Sequence, residues 1–294
     1  MRVLIGTDGS SDAGDALDEV LCLPLPADTE ISIVSAIPAP SFSRSLPPRA
    51  REEMTRVADA IVAKACQRAG ERWRKVTGRV REGDARDVLV DTARAEASDL
   101  LVVGTRGRGT VASALLGSVS LGAARLAPCP VLVTRGLPHP LRSVTIALDG
   151  SQDSAAALKF FSGLPLSPAL SVHLVAVVEP IPCPGTVPSI IAPQLVAAIQ
   201  DHERERRREL DQVLAPVADE LRPRVGAVTR TTVVGPPGPS IVAEAEKHTS
   251  DLIVVGARGL GIVKRLLLGS VSDYVLRHAA CPALIVRPRG GHGG

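Results

Sequence analysis

The sequence predicts an α/β fold of two tandem, doubly wound, Rossmann-like domains, each a five-stranded parallel sheet with helices on both faces. Three observations predict it. The 294 residues make about two domains by the usual prior of roughly 150 residues each. Short apolar runs alternate with amphipathic stretches of helical spacing, the pattern of parallel strands buried on both faces. The second half also repeats the first. "SDLLVVGTRGRGTVASALLGSVS" (98–120) and "SDLIVVGARGLGIVKRLLLGSVS" (250–272) differ at only seven of 23 positions. "VLIGTDGS" (3–10) returns as "VTIALDGS" (144–151), and "APCPVLVTR" (127–135) as "AACPALIVR" (279–287). The offset is 141 for the pair 3–10 and 144–151 and 152 for the other two, so the second copy holds 11 extra residues in between. The Pro-rich stretch "EPIPCPGTVPSIIAP" (179–193) is where they are expected. "GLPHPL" (136–141) reads as the linker, which sets the domains at 1–138 and 139–294.

The elements of the first copy follow in order. "VLIGTD" is a short apolar run of buried-strand type. "SSDAGDALDEVLCL" offers Ser or Asp as an N-cap and apolar residues at helical spacing. "ISIVSAI" (31–37) is a β-branched strand, and "PAPSFSRSLPP" leads to a long helix from about Glu52 to Ala69. "KVTGRVREG" is a weaker strand, "ARDVLVDTARAEA" an amphipathic helix and "LLVVG" a buried strand. The glycine loop precedes the helix "SVSLGAARLA" and the last strand "PVLVTR".

Composition narrows the function. Lys and Arg exceed Asp and Glu by only three (34 against 31), and aromatics are 2% of residues, so no nucleic-acid partner is expected. No run of 18 apolar residues is present to span a bilayer, and "MRVLIGTDGS" leaves no room for a signal peptide, so no membrane partner and a cytoplasmic location are expected. The five cysteines form no CxxC pair; Cys129 and Cys281, each before a proline, read as buried structural thiols. The six histidines fall singly, so no metal site of protein ligands alone is expected; a Mg²⁺ would arrive on phosphates. "HERERRRELDQ" (202–212) reads as a solvated helix face of alternating charge in preference to a phosphate patch.

The repeated glycine loop carries the chemistry. In open parallel sheets ligands collect at the C-terminal strand ends where strand order reverses. Asp8 and Asp149 close the first strand of each copy, and Gly104 and Gly256 close the fourth. A helix starting at Ser118 or Ser270 presents unpaired N–H groups and a positive dipole end, a ready phosphate site. Glycines ahead of it admit a close backbone approach. The hydroxyls of Ser118 and Ser120, and of Ser270 and Ser272, are further donors, and the carboxylates suit ribose hydroxyls. The loop is neither a Walker loop, since no Gly-Lys-Ser/Thr occurs in it, nor the GxGxxG fingerprint.

These residues resemble the universal stress protein family over almost the whole chain. The ATP-binding branch of that family is marked by Gly-x2-Gly-x9-Gly-Ser/Thr. Gly104, Gly107, Gly117 and Ser118 fit this spacing, and Gly256, Gly259, Gly269 and Ser270 fit it again. The resemblance implies ATP as ligand, usually with a divalent ion such as Mg²⁺. Asp8, with Thr7 beside it, and Asp149 would bind ribose with help from Gly104 and Gly256, and the backbones of Ala36 and Val177 would meet adenine. Gly107, Gly117, Ser118, Val119 and Ser120 would hold phosphates, as would Gly259, Gly269, Ser270, Val271 and Ser272. Arg106 and Arg258 flank the loop and either touch phosphate or stay in solvent. Leu148 stands where the first copy has Thr7, so the two sites are expected to differ. The family's pairing through its last strand implies an intramolecular pseudo-dimer, with a homodimer open. The function expected is that of a nucleotide-binding stress-response regulator acting on a protein partner. A slow ATPase or self-phosphorylating enzyme, a cyclic-AMP binder and a structural dimer module are the alternatives.

Overall fold

The computed structural model describes residues 1–38, 47–105, 116–136, 138–181, 192–260 and 268–288. The first repeat runs β1 (Arg2–Gly6), α1 (Ser11–Cys22), β2 (Glu30–Ile37), α2 (Pro48–Gly70), β3 (Lys75–Glu82), α3 (Ala85–Ala95), β4 (Leu100–Gly104), α4 (Ser118–Leu126) and β5 (Val131–Thr134). The second runs β6 (Ser143–Ala147), α5 (Gln152–Ser162), β7 (Ser171–Val178), α6 (Ala192–Leu221), β8 (Ala227–Val234), α7 (Pro237–Lys247), β9 (Leu252–Gly256), α8 (Ser270–His278) and β10 (Ala283–Val286). Local chemistry sets the starts. Ser10 and Ser151 cap α1 and α5 by accepting the N–H of Ala13 and of Ser154. Asp84 caps α3, and Pro47 and Pro48 open α2 four residues earlier than the sequence periodicity places it.

All ten strands form one sheet in the order β3-β2-β1-β4-β5-β10-β9-β6-β7-β8. Neighbours are parallel except at the centre, where β5 and β10 pair antiparallel with Leu132 opposite Leu284. The expected intramolecular pseudo-dimer is this central pair. The half-polar strands "KVTGRVRE" and "AVTRTTVV" lie at the two edges, where one row of backbone groups and much side-chain surface meets water. The central strands are apolar on both faces. One face buries Ile5, Ile33, Leu132, Ile146, Leu174 and Leu284 in a core shared by both repeats, and the other does the same with Leu4, Leu101, Val133, Val175, Ile253 and Ile285.

Arginines lock the two halves reciprocally. Arg135, just past β5, donates to the carbonyls of Leu276 (2.9 Å) and Ala279 (2.6 Å) at the end of α8. Its repeat counterpart Arg287 donates to those of Arg125 (2.9 Å) and Ala124 (2.5 Å) at the end of α4. Each repeat thus caps the last helix of the other with a cation at the negative end of its dipole. Arg125 also pairs with Asp273 at 3.3 Å across the junction.

The 11 extra residues of the second repeat are not confined to the Pro-rich excursion. Seven lengthen α6 (30 residues against 23 in α2), three lengthen the segment before it and one the turn after it. A helix can absorb such an insertion because each added turn satisfies its own backbone hydrogen bonds.

Candidate functional site

Strand order reverses between β1 and β4, and again between β6 and β9, so Asp8 and Gly104, and Asp149 and Gly256, end neighbouring strands. Beyond the strand ends of the second repeat lies a cavity of about 440 Å³. Asp149, Val177, Gly256, Arg258, Gly259, Gly269, Ser270, Val271 and Ser272 all line it, so every second-repeat residue expected at the site comes together there. Its floor is aliphatic, made largely by Leu148, Val175, Ile241 and Val255, as a site for a flat heterocycle in a chain with few aromatics has to be.

Asp149 sits at the junction of strand and loop. Its Oδ1 accepts the N–H of Ser151 (2.9 Å) and its Oδ2 that of Leu260 (3.2 Å), so the carboxylate holds the glycine loop against the β6 turn. Gly150 completes that turn at φ +81°, a region that disfavours any residue with a Cβ. Asp8 accepts from the N–H (3.0 Å) and hydroxyl (2.6 Å) of Ser10. Gly256 touches the start of α5: a Cβ there would lie 2.7 Å from the backbone of Asp153 and Ser154. A Cβ on Gly269 would lie 3.2 Å from the Ala257 carbonyl oxygen, and one on Gly259 2.6 Å from Asp149 Oδ2. The cradle is therefore built to glycine dimensions.

The two serines of each motif do different things. Ser272 is buried, and its hydroxyl lies 2.6 Å from the Gly256 carbonyl and 3.2 Å from that of Ala257; Ser120 repeats this on Gly104 and Thr105. A hydroxyl has one proton, so these two are committed to pinning helix to strand, and the expectation that they also donate to phosphate is corrected to their backbone N–H alone. Ser118 and Ser270 are exposed at the first position of α4 and α8. Both helices have a glycine N-cap with no side-chain hydrogen bond, which leaves the first-turn N–H groups facing outward.

Arg258 is exposed at the rim of the cavity and engaged in an ion pair. Its guanidinium binds buried Asp153 at 3.2 Å and its backbone N–H donates to the same carboxylate at 3.1 Å, anchoring the loop. Arg106 and Gly107 lie outside the described residues. In the first repeat Thr7, Asp8, Ala36, Gly104, Gly117, Ser118, Val119 and Ser120 occupy the positions equivalent to the second-repeat site.

Two cavity residues escaped the sequence reading. His202 and Arg206 of α6 line the cavity with Leu210 behind them, His202 exposed and Arg206 half-buried and paired with Glu209, so one stripe of the face expected to be solvated borders the cavity. The signal was available: 202, 206 and 210 are four apart, and the stripe ends in a core leucine. Two histidines that stand alone in sequence also meet. The His173 and His248 rings stack at 3.7 Å beside Glu244, and burial together with the His248 ring holds the His173 imidazole below its ordinary range. Of the two cysteines expected to be buried, Cys129 is and Cys281 is half-buried, where desolvation still pushes its thiol up to about 11.

A family model described as Universal stress protein family matches this chain twice, over residues 1–135 and 140–287. A Mycobacterium tuberculosis universal stress protein is 33% identical over 201 residues, covering 65% of this chain and 62% of that protein. This match therefore spans less than two thirds of that relative's length. Another from the same organism is 31% identical over 238 residues, covering 78% of this chain and 69% of its own length. The crystal structure of a universal stress protein from Archaeoglobus fulgidus superposes with a TM-score of 0.65 at 22% identity, covering 98% of each chain. That likeness extends to the tandem architecture. No described helix is long and apolar enough to cross a membrane.

Proposed function

The chain belongs to the universal stress protein family, and on that premise we propose that it binds an adenine nucleotide, ATP with Mg²⁺, in each repeat and acts as a nucleotide-dependent regulator. One observation carries the reading. The 440 Å³ cavity joins an aliphatic floor, a strand-end carboxylate, a glycine loop packed too closely against its neighbours for Cβ atoms and an uncapped helix N-terminus. These are the four things a nucleoside polyphosphate needs. Adenine lies against Leu148, Val175 and Ile241 and bonds to the backbone near Val177. Ribose hydroxyls donate to Asp149. Phosphates take the first-turn N–H groups of α8 and the hydroxyl of Ser270, and Arg206 and His202 face them from α6. The bound Mg²⁺ supplies charge neutralisation on the phosphates and is held mainly by them.

Asp8, Ala36, Gly117 and Ser118 serve the first repeat in the same way, with Thr7 in place of the aliphatic Leu148. Binding in preference to turnover is supported by the loop sequences, neither of which holds a Walker-type Gly-Lys-Ser/Thr. A ligand that prefers one conformation shifts the population toward it, and a protein partner reads that shift. The reading carries a cytoplasmic location with it, ATP being an intracellular metabolite.

The test is to purify the chain without added nucleotide, denature it and identify the released small molecules by mass spectrometry. ATP supports the reading. Cyclic AMP instead of ATP replaces the ligand, ADP that accumulates on incubation replaces binding with turnover, and no adenine nucleotide even after incubation with ATP and Mg²⁺ refutes it.

A further inference from the structure

Behind the cavity, further along the same two elements, lies a second cluster. α7 starts at the cavity with Pro237 and Ile241, and Glu244 and His248 follow one and two turns further on. β7 lines the cavity with Val175, Val177 and Val178, and His173 lies two residues back from Val175 on the same face of the strand, on the order of 7 Å along it. Donor atoms of His173, Glu244 and His248 all lie within 4.8 Å of one another. Glu244 Oε2 is 3.3 Å from His173 Nε2 and 3.7 Å from His248 Nε2. Ligand atoms 2.0–2.1 Å from a tetrahedral Zn²⁺ stand about 3.3 Å apart, so this spacing is close to what an ion imposes.

We propose that His173, Glu244 and His248 form a binding site for a divalent transition-metal ion of the Zn²⁺ class, with water completing the coordination.

Independent observations point the same way. His173 is 2% exposed, and its Nε2 is buried against the Glu244 carboxylate at 3.3 Å without full hydrogen-bond geometry, an arrangement that a shared ion would satisfy. Its Nδ1 lies 2.9 Å from the Thr229 hydroxyl, the contact that fixes the ring and keeps Nε2 as the ligating nitrogen. Two imidazoles and one carboxylate, with no thiolate, suit Zn²⁺ or Co²⁺ over Mg²⁺ or Ca²⁺. Lys247 Nζ is 3.2 Å from Glu244 Oε1, but its side chain is 63% exposed and swings into water when the ion binds. The His248 side chain, 30% exposed, turns out of the stack so that its lone pair converges with that of His173.

The first repeat provides an internal control. Its equivalent positions are Ser32, Thr92 and Glu96, and Glu96 pairs there with Arg79 at 2.6 Å, while Thr231 replaces that arginine in the second repeat. All three ligand positions have changed together, and the changed set is a ligand set.

The full chain, stripped with a chelator, is titrated with Co²⁺ followed by absorption and with Zn²⁺ followed by calorimetry. One ion per chain is expected, with weak visible bands of nitrogen and oxygen ligation. His248→Ala and the triple variant H173S/E244T/H248E, which installs the first-repeat residues, should lose that uptake while keeping the far-ultraviolet circular dichroism of the wild type. The partly exposed His248 keeps the test open should the triple variant fail to fold. Equal uptake by wild type and His248→Ala overturns the site, as does no uptake by the wild type or a thiolate charge-transfer band.

Discussion

Gly256 lines the cavity and is at the same time fixed as glycine by packing. Its Cα faces the first turn of α5, where a Cβ would sit 2.7 Å from two backbone atoms that cannot move aside. Gly256→Ala should therefore cost about 1–3 kcal/mol in denaturant unfolding, as overpacked sites do, whether or not nucleotide is present. Glu19 offers a different single-residue test. Buried on α1, its carboxyl is raised to about 7 by desolvation, with His139 opposing and Asp251 reinforcing the shift. The folded chain then holds a proton that the unfolded chain releases near 4.5, so this contribution is complete below about 4.5 and is lost as pH rises toward 7. The span is worth about 3 kcal/mol at roughly 1.4 kcal/mol per unit. Glu19→Gln should flatten the unfolding free energy across that window; an unchanged pH profile in the variant contradicts the assignment.

At the level of elements, α6 is where the repeats have parted. In register with the core (Leu210 and Leu214 on Ala58 and Val62), His202 and Arg206 stand at the cavity where α2 has Ala50 and Met54. Arg206→Ala should weaken ATP binding at the second site about tenfold, or 1.4 kcal/mol, without changing the melting temperature measurably. Unaltered affinity would return that face to the solvent. The case also shows where sequence was legible. Buried strands announce themselves as apolar runs, and the glycine loop is visible because it occurs twice, so Asp149, Gly259, Gly269 and Ser270 were all found without coordinates. Arg206 was not, because an alternating charge run looks the same whether its inner stripe meets water or a cavity. Nor was the His173, Glu244 and His248 cluster, whose members lie up to 75 positions apart and meet only through the pairing of β7 with α7. Ser272 was found but given the wrong task, since only coordinates show its proton already spent on the Gly256 carbonyl.

Over the whole molecule, the joined sheet makes the two repeats one folding unit. β5 and β10 pair at its centre, both cores cross the junction, and Arg135 and Arg287 each cap a helix of the other half. Arg135→Ala leaves the last carbonyls of α8 without their cation and should cost about 2 kcal/mol or more, the scale of charged hydrogen bonds. Wild-type unfolding should remain a single transition, whereas two resolved transitions would show that the halves fold independently. The same architecture sets the two reversals of strand order, β1 with β4 and β6 with β9, on opposite sides of the central pair.

The central claim is that the second-repeat cavity binds ATP, and titration calorimetry of the wild type and Gly269→Ala with ATP and Mg²⁺ tests it most directly. A Cβ at 269 presses on the Ala257 carbonyl and the Arg258 backbone, at 3.2 and 3.3 Å, and so displaces the cradle. The account predicts saturable binding at about two nucleotides per chain, one for each repeat, with one lost in the variant. A wild type that binds no ATP, or a Gly269→Ala chain that keeps both sites at full affinity, contradicts it.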